Sequence, residues 1–187
     1  SRLAGRGVSF CSTCDGPLYK GKKALVIGGG NSAVTEALHL HHIGVHTTLV
    51  HRRDDLRAQE HLVKAVTEAH IPVLWNTEVK EIHGDKRVTH VELVNNKTEE
   101  IFHVPADAVF VAVGYVPENR LAQAAGAALT PEGYIQHDGF HRTTVPGIYC
   151  AGDVEGGYKQ IVTAVGAGAG AAMTIFEDLS HPYWTRS

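Results

Sequence analysis

The sequence has little of what marks several large protein classes. Its 187 residues include only three cysteines, and the formal net charge is −3. A small, odd number of cysteines does not make the disulfide framework of a small secreted domain. A net charge this close to zero gives no general attraction to nucleic acid or to a membrane surface. We therefore expect neither of these as a partner.

Long hydrophobic runs are also missing. The longest stretch without a charged residue, 160–176, is 17 residues long, which is shorter than the roughly 20 apolar residues of a membrane-spanning helix. We expect a buried helix there. The sequence shows no secretory signal, which predicts a cytoplasmic protein. Because it opens on Ser1, we expect it to be a piece of a longer chain.

A glycine-rich turn between a strand and a helix is the first sign of a ligand site. The apolar run 23–27 precedes Gly28-x-Gly30-x-x-Ala33, and a helical periodicity follows. In dinucleotide-binding folds the first small residue permits a tight turn and the second lets a pyrophosphate approach the backbone. The third lets the helix pack on the strand. A second strand over 47–50 completes a βαβ unit, so a Rossmann-like α/β domain with a parallel sheet is predicted.

The residues after the second strand indicate which nucleotide binds. An NAD site usually has Asp or Glu about 20 residues after the glycines, which holds the ribose 2′-OH. Here the strand is followed by His51, Arg52 and Arg53. Arg57 lies at the start of the next helix, predicted over 56–69. Guanidinium groups hold a 2′-phosphate that a carboxylate would repel, so NADPH is predicted; the alternative is a solvated basic turn.

A Cys-x-x-Cys pair lies upstream of the glycine-rich turn. The two residues between Cys11 and Cys14 allow a disulfide to close, and Asp15 is placed to exchange a proton with the departing thiolate. A zinc site would need two more ligands, and the third cysteine, Cys150, has no Cys or His within three residues. The pair is predicted to be a redox centre, and Cys150 a core residue.

The hydrophobic pattern changes beyond the second predicted helix. After Pro72 it alternates, which indicates a β-meander followed by a buried strand over 108–113. A small helix over 119–125, a polar β segment and the uncharged helix come next. The natural boundary lies near Gly114. The predicted domains are 1–114 and 115–187.

Four motifs, in this order, resemble those of low-molecular-weight thioredoxin reductases. They read GRGVSFCSTCDGPLYKGKKALVIGGGNSAVTEALHL, HRRDDLRA, VAVGYVPE and GIYCAGDV…KQIVTAVGAGAGAA, and the resemblance runs over the whole chain. It implies that NADPH reduces a bound FAD, that the flavin reduces the disulfide, and that the dithiol reduces thioredoxin. It also implies a homodimer.

The resemblance further implies roles for individual residues. Cys14 would face the flavin, Cys11 would attack the disulfide of thioredoxin, and Asp15 would be the acid and base. Gln160 and Ile161 would offer backbone N–H groups to the flavin ring. The other predicted cofactor-binding residues are Gly28, Gly30, Asn31, Ser32, Ala33, His51, Arg52, Arg53 and Arg57 for NADPH, Asp153 for FAD, and Gly114 and Lys159.

One part of the family pattern is not in this sequence. The FAD domain of the family is discontinuous, and its N-terminal segment carries a GxGxxG of its own. Gly166, Gly168 and Gly170 cannot replace that motif, because they fall inside a predicted helix instead of at a strand-to-helix turn. We therefore expect a partial FAD-domain segment with an incomplete FAD site and exposed apolar surface over 115–187.

Three alternatives stay open. A related flavin disulfide reductase, such as the flavoprotein component of an alkyl hydroperoxide reductase system, would keep a similar CDGPL motif, although the arginines argue against an enzyme that prefers NADH. A non-catalytic module could bind NADPH only. A flavin-dependent dithiol oxidase would need no intact glycine loop.

A histidine cluster raises the question of a metal. His39, His42 and His46 lie near the end of the first long helix, where the helix dipole already favours histidine. Neither a carboxylate pair nor a cysteine joins them, so the sequence predicts no metal site.

Overall fold

A computed structural model of the chain describes residues 2–185, which divide into two compact units at the junction of Gly114 and Tyr115. The first unit contains a parallel sheet and a separate three-stranded sheet. Its elements, in chain order, are β1 (Val8–Ser9), α1 (Ser12–Asp15), a 3₁₀ turn (Gly16–Tyr19), β2 (Lys23–Ile27), α2 (Asn31–His42), β3 (His46–Val50), α3 (Glu60–Glu68), β4 (Val73–Leu74), β5 (Thr77–His83), β6 (His90–Asn95), β7 (Ile101–Pro105) and β8 (Ala108–Val111).

The parallel sheet has the strand order β1-β8-β2-β3-β4. Strands β5, β6 and β7 form the second sheet, which is antiparallel. Two hydrophobic clusters hold the unit together, one around Val26, Leu49 and Phe110 and the other around Leu25 and Val91. A parallel sheet flanked by apolar clusters needs strands that are apolar almost throughout, as KALVI and AVFV are. The predicted α/β fold is confirmed.

Helix α3, predicted over 56–69, is shorter than the sequence predicts. It begins at Glu60 instead of residue 56, and residues 51–59 form a loop that returns to the glycine-rich turn. The Arg57 N–H donates to the Gly29 carbonyl at 2.7 Å, and the Gln59 N–H donates to Asn31 Oδ1 at 2.8 Å. Because the N–H groups of Arg57 and Gln59 bond to the glycine-rich turn and to Asn31, they do not need helical partners. Arg57 therefore lies in the loop before α3.

The second unit is built around one long helix. Its elements are α4 (Arg120–Ala124), a 3₁₀ turn (Asp153–Glu155), α5 (Ile161–Ser180) and a 3₁₀ turn (Tyr183–Thr185). The polar segment predicted as β makes isolated bridges among the described residues, such as His137 with Thr143, instead of continuous strands. Helix α5 runs four residues beyond the predicted end. No helix in the described part of the chain is long and apolar enough to cross a membrane.

Candidate nucleotide cavity and redox disulfide

A cavity of about 450 Å³ opens beside the glycine-rich turn of the first unit. It lies at the carboxyl ends of β2, β3 and β8, which is where parallel α/β sheets bind their ligands. The first strand of the antiparallel sheet, β5, contributes one wall. The lining residues are Ile27, Gly28, Gly29, Gly30, Asn31, Ser32, Val50, His51, Arg52, Arg57, Thr77, Glu78, Val79, Ala112, Val113 and Gly114.

The glycines of the turn meet two separate steric requirements. Gly28 has φ 147°, and a Cβ there would lie 2.7 Å from the Cβ of Ala33 and collide with the Ala112 carbonyl. Only glycine fits such a position, so Gly28 lets α2 start directly against β8. A Cβ on Gly30 would meet nothing within 4 Å. The backbone at Gly30 is therefore open to a ligand, and this is the geometry that a pyrophosphate requires.

The N-terminus of α2 faces the same cavity. Gly30 is the N-cap and has no side chain to cap the first turn, so the N–H groups of that turn are available to a ligand. Asn31 and Ser32 both line the cavity. An anion there would meet free N–H donors and the positive end of the helix dipole. The Asn31 side chain also has a second role, because its Oδ1 accepts the Gln59 N–H and anchors the arginine loop.

Two of the three predicted arginines line the cavity. Arg52 and Arg57 do so, whereas Arg53 is not among the lining residues. The backbone around them is well held. Asn96 Nδ2 lies 2.8 Å from both the Arg52 carbonyl and Glu78 Oε1, so the antiparallel sheet positions the arginine loop.

His51 lines the cavity, and its ring nitrogen Nε2 is hydrogen-bonded to the Asp55 backbone. It is 4 % exposed, and its Nε2 lies 3.0 Å from the Asp55 carbonyl, to which it donates. The backbone of Gly29 packs on the ring so closely that a Cβ there would collide with it. Burial lowers the pKa of His51, the hydrogen bond to Asp55 raises it, and the neighbouring arginines lower it further. The result is a neutral ring that shapes the cavity.

The sequence did not identify the wall formed by β5. Thr77, Glu78 and Val79 line the cavity, and the Thr77 N–H donates to the His51 carbonyl at 2.9 Å. The alternating pattern predicts a strand there, but it carries no signal about which strand of the meander reaches the glycine-rich turn. Val113 also lines the cavity and was not predicted.

The Cys-x-x-Cys pair forms a disulfide. Cys11 is the N-cap of α1, its Sγ accepts the Cys14 N–H at 3.2 Å, and the two Cα atoms are 5.3 Å apart. Cys14 is exposed and Cys11 is half-buried. Asp15 is fixed beside them, because Ser9 Oγ donates to its Oδ2 at 2.7 Å. A carboxylate held at the base of a disulfide is suited to proton exchange with the thiols.

The disulfide and the glycine-rich turn lie at the same edge of the parallel sheet. Ser9 pairs with Phe110, and Phe110 pairs with Val26. Cys11 and Gly28 each follow two residues beyond that level. Since β8 alone separates β1 from β2, the two features are about two strand spacings apart along the edge, roughly 10 Å.

The residues predicted for FAD lie in the second unit. Asp153 is exposed at the start of a 3₁₀ turn, and Lys159 Nζ lies 4.8 Å from the centre of the Tyr134 ring. Ile161 is 87 % exposed at the start of α5. The Gln160 N–H, expected to face a flavin, instead donates to Thr163 Oγ1 at 3.2 Å in a capping box. That N–H is therefore already satisfied within the helix cap.

Residues 2–168 match the family described as "Pyridine nucleotide-disulphide oxidoreductase". The chain belongs to this family. It is 40% identical to the thioredoxin reductase of Coxiella burnetii over 180 residues, which cover 90% of this chain and 56% of that protein. It is 43% identical to the thioredoxin reductase of Bacillus subtilis over 176 residues, which cover 92% of this chain and 55% of that protein.

Solved structures give the same result. The crystal structure of thioredoxin reductase from Streptococcus pyogenes matches with a TM-score of 0.85 at 38% identity, over 94% of this chain and 58% of that one. The resemblance to thioredoxin reductases predicted from the four motifs is confirmed. The chain spans about half the length of the curated relatives it matches.

Proposed function

We propose that this chain carries the nucleotide site and the redox disulfide of an NADPH-dependent thioredoxin-disulfide reductase. Electrons would pass from NADPH through FAD to the Cys11–Cys14 disulfide and on to thioredoxin. The observation that carries the proposal is the disulfide at the same sheet edge as a cavity with an open glycine turn. The names of its relatives support the reaction.

The nucleotide half of the proposal depends on the fit of the cavity. Gly28 and Gly30 with the N-terminus of α2 would hold the pyrophosphate, since a side chain at Gly28 would clash and the backbone of Gly30 is open. Arg52 and Arg57 would hold the 2′-phosphate through charge-assisted hydrogen bonds. NADPH would supply two electrons as a hydride, and FAD would supply their transfer to sulfur.

The disulfide half follows from sulfur chemistry. Reduction adds two electrons and two protons to the disulfide and leaves two thiols. The Cys11 thiolate attacks the disulfide of thioredoxin and forms a mixed disulfide, and the released thiolate takes a proton. Cys14 then attacks Cys11 Sγ, which restores the original disulfide and frees reduced thioredoxin. Asp15, held by Ser9, accepts and returns the proton of the attacking thiol.

We propose that the second unit would contribute part of a flavin site, without the Gln160 N–H, which the helix cap already uses. The exposed carboxylate of Asp153 and the apolar surface of Ile161 would contact the ribityl and ring portions, with Lys159 nearby. The exposure of Ile161 fits this use, because an apolar ring would cover surface that is otherwise in water. On the resemblance alone we also propose a homodimer and a cytoplasmic location.

The nucleotide assignment is tested by titrating the chain with NADPH and NADH and following Trp75 fluorescence, with Trp184 replaced by Phe. We expect NADPH to bind at least about tenfold more tightly, because one charge-assisted hydrogen bond contributes about 1.5–3 kcal/mol. Arg57→Ala should reduce the preference, because only Arg52 would then hold the 2′-phosphate, whereas the matched variant Arg53→Ala should change it little. Equal affinities in the unchanged chain would overturn the NADPH assignment.

The disulfide assignment is tested by trapping. Cys14→Ser leaves Cys11 as the attacking thiol. It should form a stable mixed disulfide with a thioredoxin whose resolving cysteine is mutated and whose remaining cysteine carries a thionitrobenzoate disulfide, since thionitrobenzoate is released as the leaving group. The matched variant Cys11→Ser should trap much less. If Cys11→Ser traps as well as Cys14→Ser, the assigned roles of the two cysteines are wrong.

A further inference from the structure

Three histidines meet on the outer face of the antiparallel sheet, far in sequence from the cysteines. His83 pairs with His90 across β5 and β6, and Glu92 pairs with His103 across β6 and β7. Side chains alternate along β6, so Val91 lies on the opposite face and is buried in the core. The three imidazoles and one carboxylate therefore share one patch.

The spacing of the three rings suits a single ion. One ring nitrogen from each of His83, His90 and His103 lies within 4.8 Å of the other two. In a tetrahedral zinc site, with Zn–N distances of about 2.1 Å, the nitrogens are roughly 3.4 Å apart. The rings of His83 and His90 are stacked, with their centres 4.6 Å apart and an angle of 7° between the planes. Side-chain rotations that unstack these two rings and bring the nitrogens about 1 Å closer would close the site, without a change in the backbone register.

One nitrogen of the cluster is buried without a hydrogen bond. His83 Nε2 has no hydrogen-bond partner within the described part of the chain. The nearest carboxylate oxygen in its ion pairs, Glu92 Oε2, lies 3.5 Å away, beyond the usual N–H···O range. Buried polar atoms are normally satisfied, and an ion or water that binds there is one common explanation of an exception.

Thr89 fixes the tautomer of the second histidine. Its hydroxyl lies 3.3 Å from the His83 carbonyl and 3.1 Å from His90 Nδ1. A carbonyl only accepts, so the single hydroxyl proton goes to His83 and the hydroxyl oxygen accepts from His90 Nδ1–H. This leaves His90 Nε2 with a free lone pair. Most histidines that ligate metals are oriented in this way, by a hydrogen bond from the ring nitrogen that does not face the ion.

We propose that His83, His90 and His103 bind one divalent transition-metal ion, with Zn²⁺ the best match, and that Glu92 Oε2 is the fourth ligand. Imidazole nitrogens suit zinc, whereas Mg²⁺ and Ca²⁺ require oxygen ligands. Glu92 can take this role because Lys80 holds its other oxygen, Oε1, at 2.7 Å. The ion would cross-link β5, β6 and β7, and β5 also forms a wall of the nucleotide cavity.

The strand register, and not sequence proximity, creates this site. The sequence analysis predicted no metal site because the histidines that it weighed, His39, His42 and His46, are close in sequence near the end of α2 and have no further ligand beside them. His83, His90 and His103 are spread over three strands, so no spacing motif marks them.

The test uses the untagged chain with the Cys11–Cys14 disulfide intact, so that these two thiols do not bind metal. Calorimetric titration with ZnCl₂ should show binding that MgCl₂ does not. His103→Gln removes an exposed ligand. It should lower the affinity of one binding event by at least about tenfold, since even the loss of a hydrogen-bond partner of a ligand has an effect of that size. His61→Gln, an exposed histidine on α3, is the matched control and should change nothing.

Two further measurements distinguish the cluster from other zinc ligands. His137, His141 and Glu155 form a second group of potential ligands, so His141→Gln should leave the binding event that is sensitive to His103 unchanged. In NMR spectra, Zn²⁺ should shift the imidazole signals of His83, His90 and His103. Three outcomes would overturn the proposal. The chain does not bind zinc, or neither His103→Gln nor His90→Gln changes the affinity in folded variants, or His141→Gln abolishes binding.

Discussion

The two units of the chain are stabilised in different ways. The first has two clusters of buried side chains, which include Phe110, Leu49 and Val91. Among the described residues of the second unit there is one buried cluster, of three residues, Ala127, Ile135 and Cys150. Hydrophobic burial is the main source of stability in folding, so the second unit has much less of it. The first unit, whose strands the sequence predicted, therefore has a larger buried core than the second unit, whose predicted strands did not form.

Hydrogen bonds to one buried carboxylate, Asp178, stabilise the second unit in addition to its small core. Asp178 is 3 % exposed and accepts two hydrogen bonds from Arg142, at 2.7 and 2.9 Å, and one from Tyr149 Oη at 2.8 Å. Large apolar side chains meanwhile remain in water: Ile161 is 87 % exposed and Leu121 is 85 % exposed. Exposed apolar surface on this scale is typical of an interaction surface.

Truncating the largest buried side chain of the first unit should have the largest effect. Phe110 is fully buried in β8 and meets Tyr19 edge to face at 5.9 Å between ring centres. Phe110→Ala should lower the free energy of unfolding by about 3–5 kcal/mol, because it removes the ring and leaves a cavity. Urea unfolding followed by Trp75 fluorescence measures this change.

The matched control for that variant is in the second unit. Phe176 is 70 % exposed on α5, so Phe176→Ala makes the same chemical change and should shift stability by less than about 0.5 kcal/mol. Similar losses in the two variants would mean that Phe176 is covered in solution, and the contrast between the units would fail.

The first unit also contains a carboxyl group, Glu36, whose charged form is disfavoured by burial. Glu36 lies on α2, its Oε2 is buried without a hydrogen-bond partner among the described residues, and burial raises its pKa from 4.5 to about 7. The folded state holds the proton more tightly than the unfolded state. Stability should therefore be highest below pH 4.5 as far as this group is concerned, and should fall as the pH rises to about 7.

The substitution that isolates this charge is Glu36→Gln. At pH 8 it should raise the free energy of unfolding by less than about 3 kcal/mol, because solvent screening at a half-buried group reduces the 1.36 kcal/mol per pKa unit, and at pH 4 it should have little effect. Urea unfolding at both pH values measures the difference. Glu132→Gln, at an exposed position in the second unit, should show no such pH dependence; a flat profile for Glu36→Gln would instead mean that water reaches this carboxylate.

Local features were predictable from sequence, and contacts between distant segments were not. Gly28, Gly30 and the Cys11–Cys14 pair belong to short motifs with a fixed spacing, so these motifs predicted the turn and the disulfide, although the contact of Gly28 with Ala112 is also long-range. The start of α3 was wrong because Gln59 bonds to Asn31, 28 residues earlier. The wall at Thr77–Val79 likewise depends on where β5 lies in the folded chain, which alternation alone does not specify.

Removing the charge of Asp178 should destabilise the second unit. Asp178→Asn keeps the size of the side chain but loses the ion pair with Arg142. We expect the melting temperature of this unit to fall by roughly 4–8 °C, the shift that a modest loss of stability gives a domain of 60–100 residues. Trp184 fluorescence in a Trp75→Phe background reports on the unit. Asp153→Asn, an exposed carboxylate in the same unit, is the matched control, and an equal shift there would contradict the assignment of Asp178 as the anchor.

The smallest effect is expected from the core of the second unit itself. Burial, and next the charge of Glu155, raises the pKa of Cys150 to about 12, so this thiol is neutral and acts as a small apolar side chain. Cys150→Ala should cost less than about 1 kcal/mol, since it removes one methylene-sized group from a cluster of three residues. Thermal melting followed by Trp184 measures it, with Val26→Ala in the first unit as the comparison. If Cys150→Ala costs as much as Val26→Ala, the second unit has a tightly packed core after all, and burial stabilises both units alike.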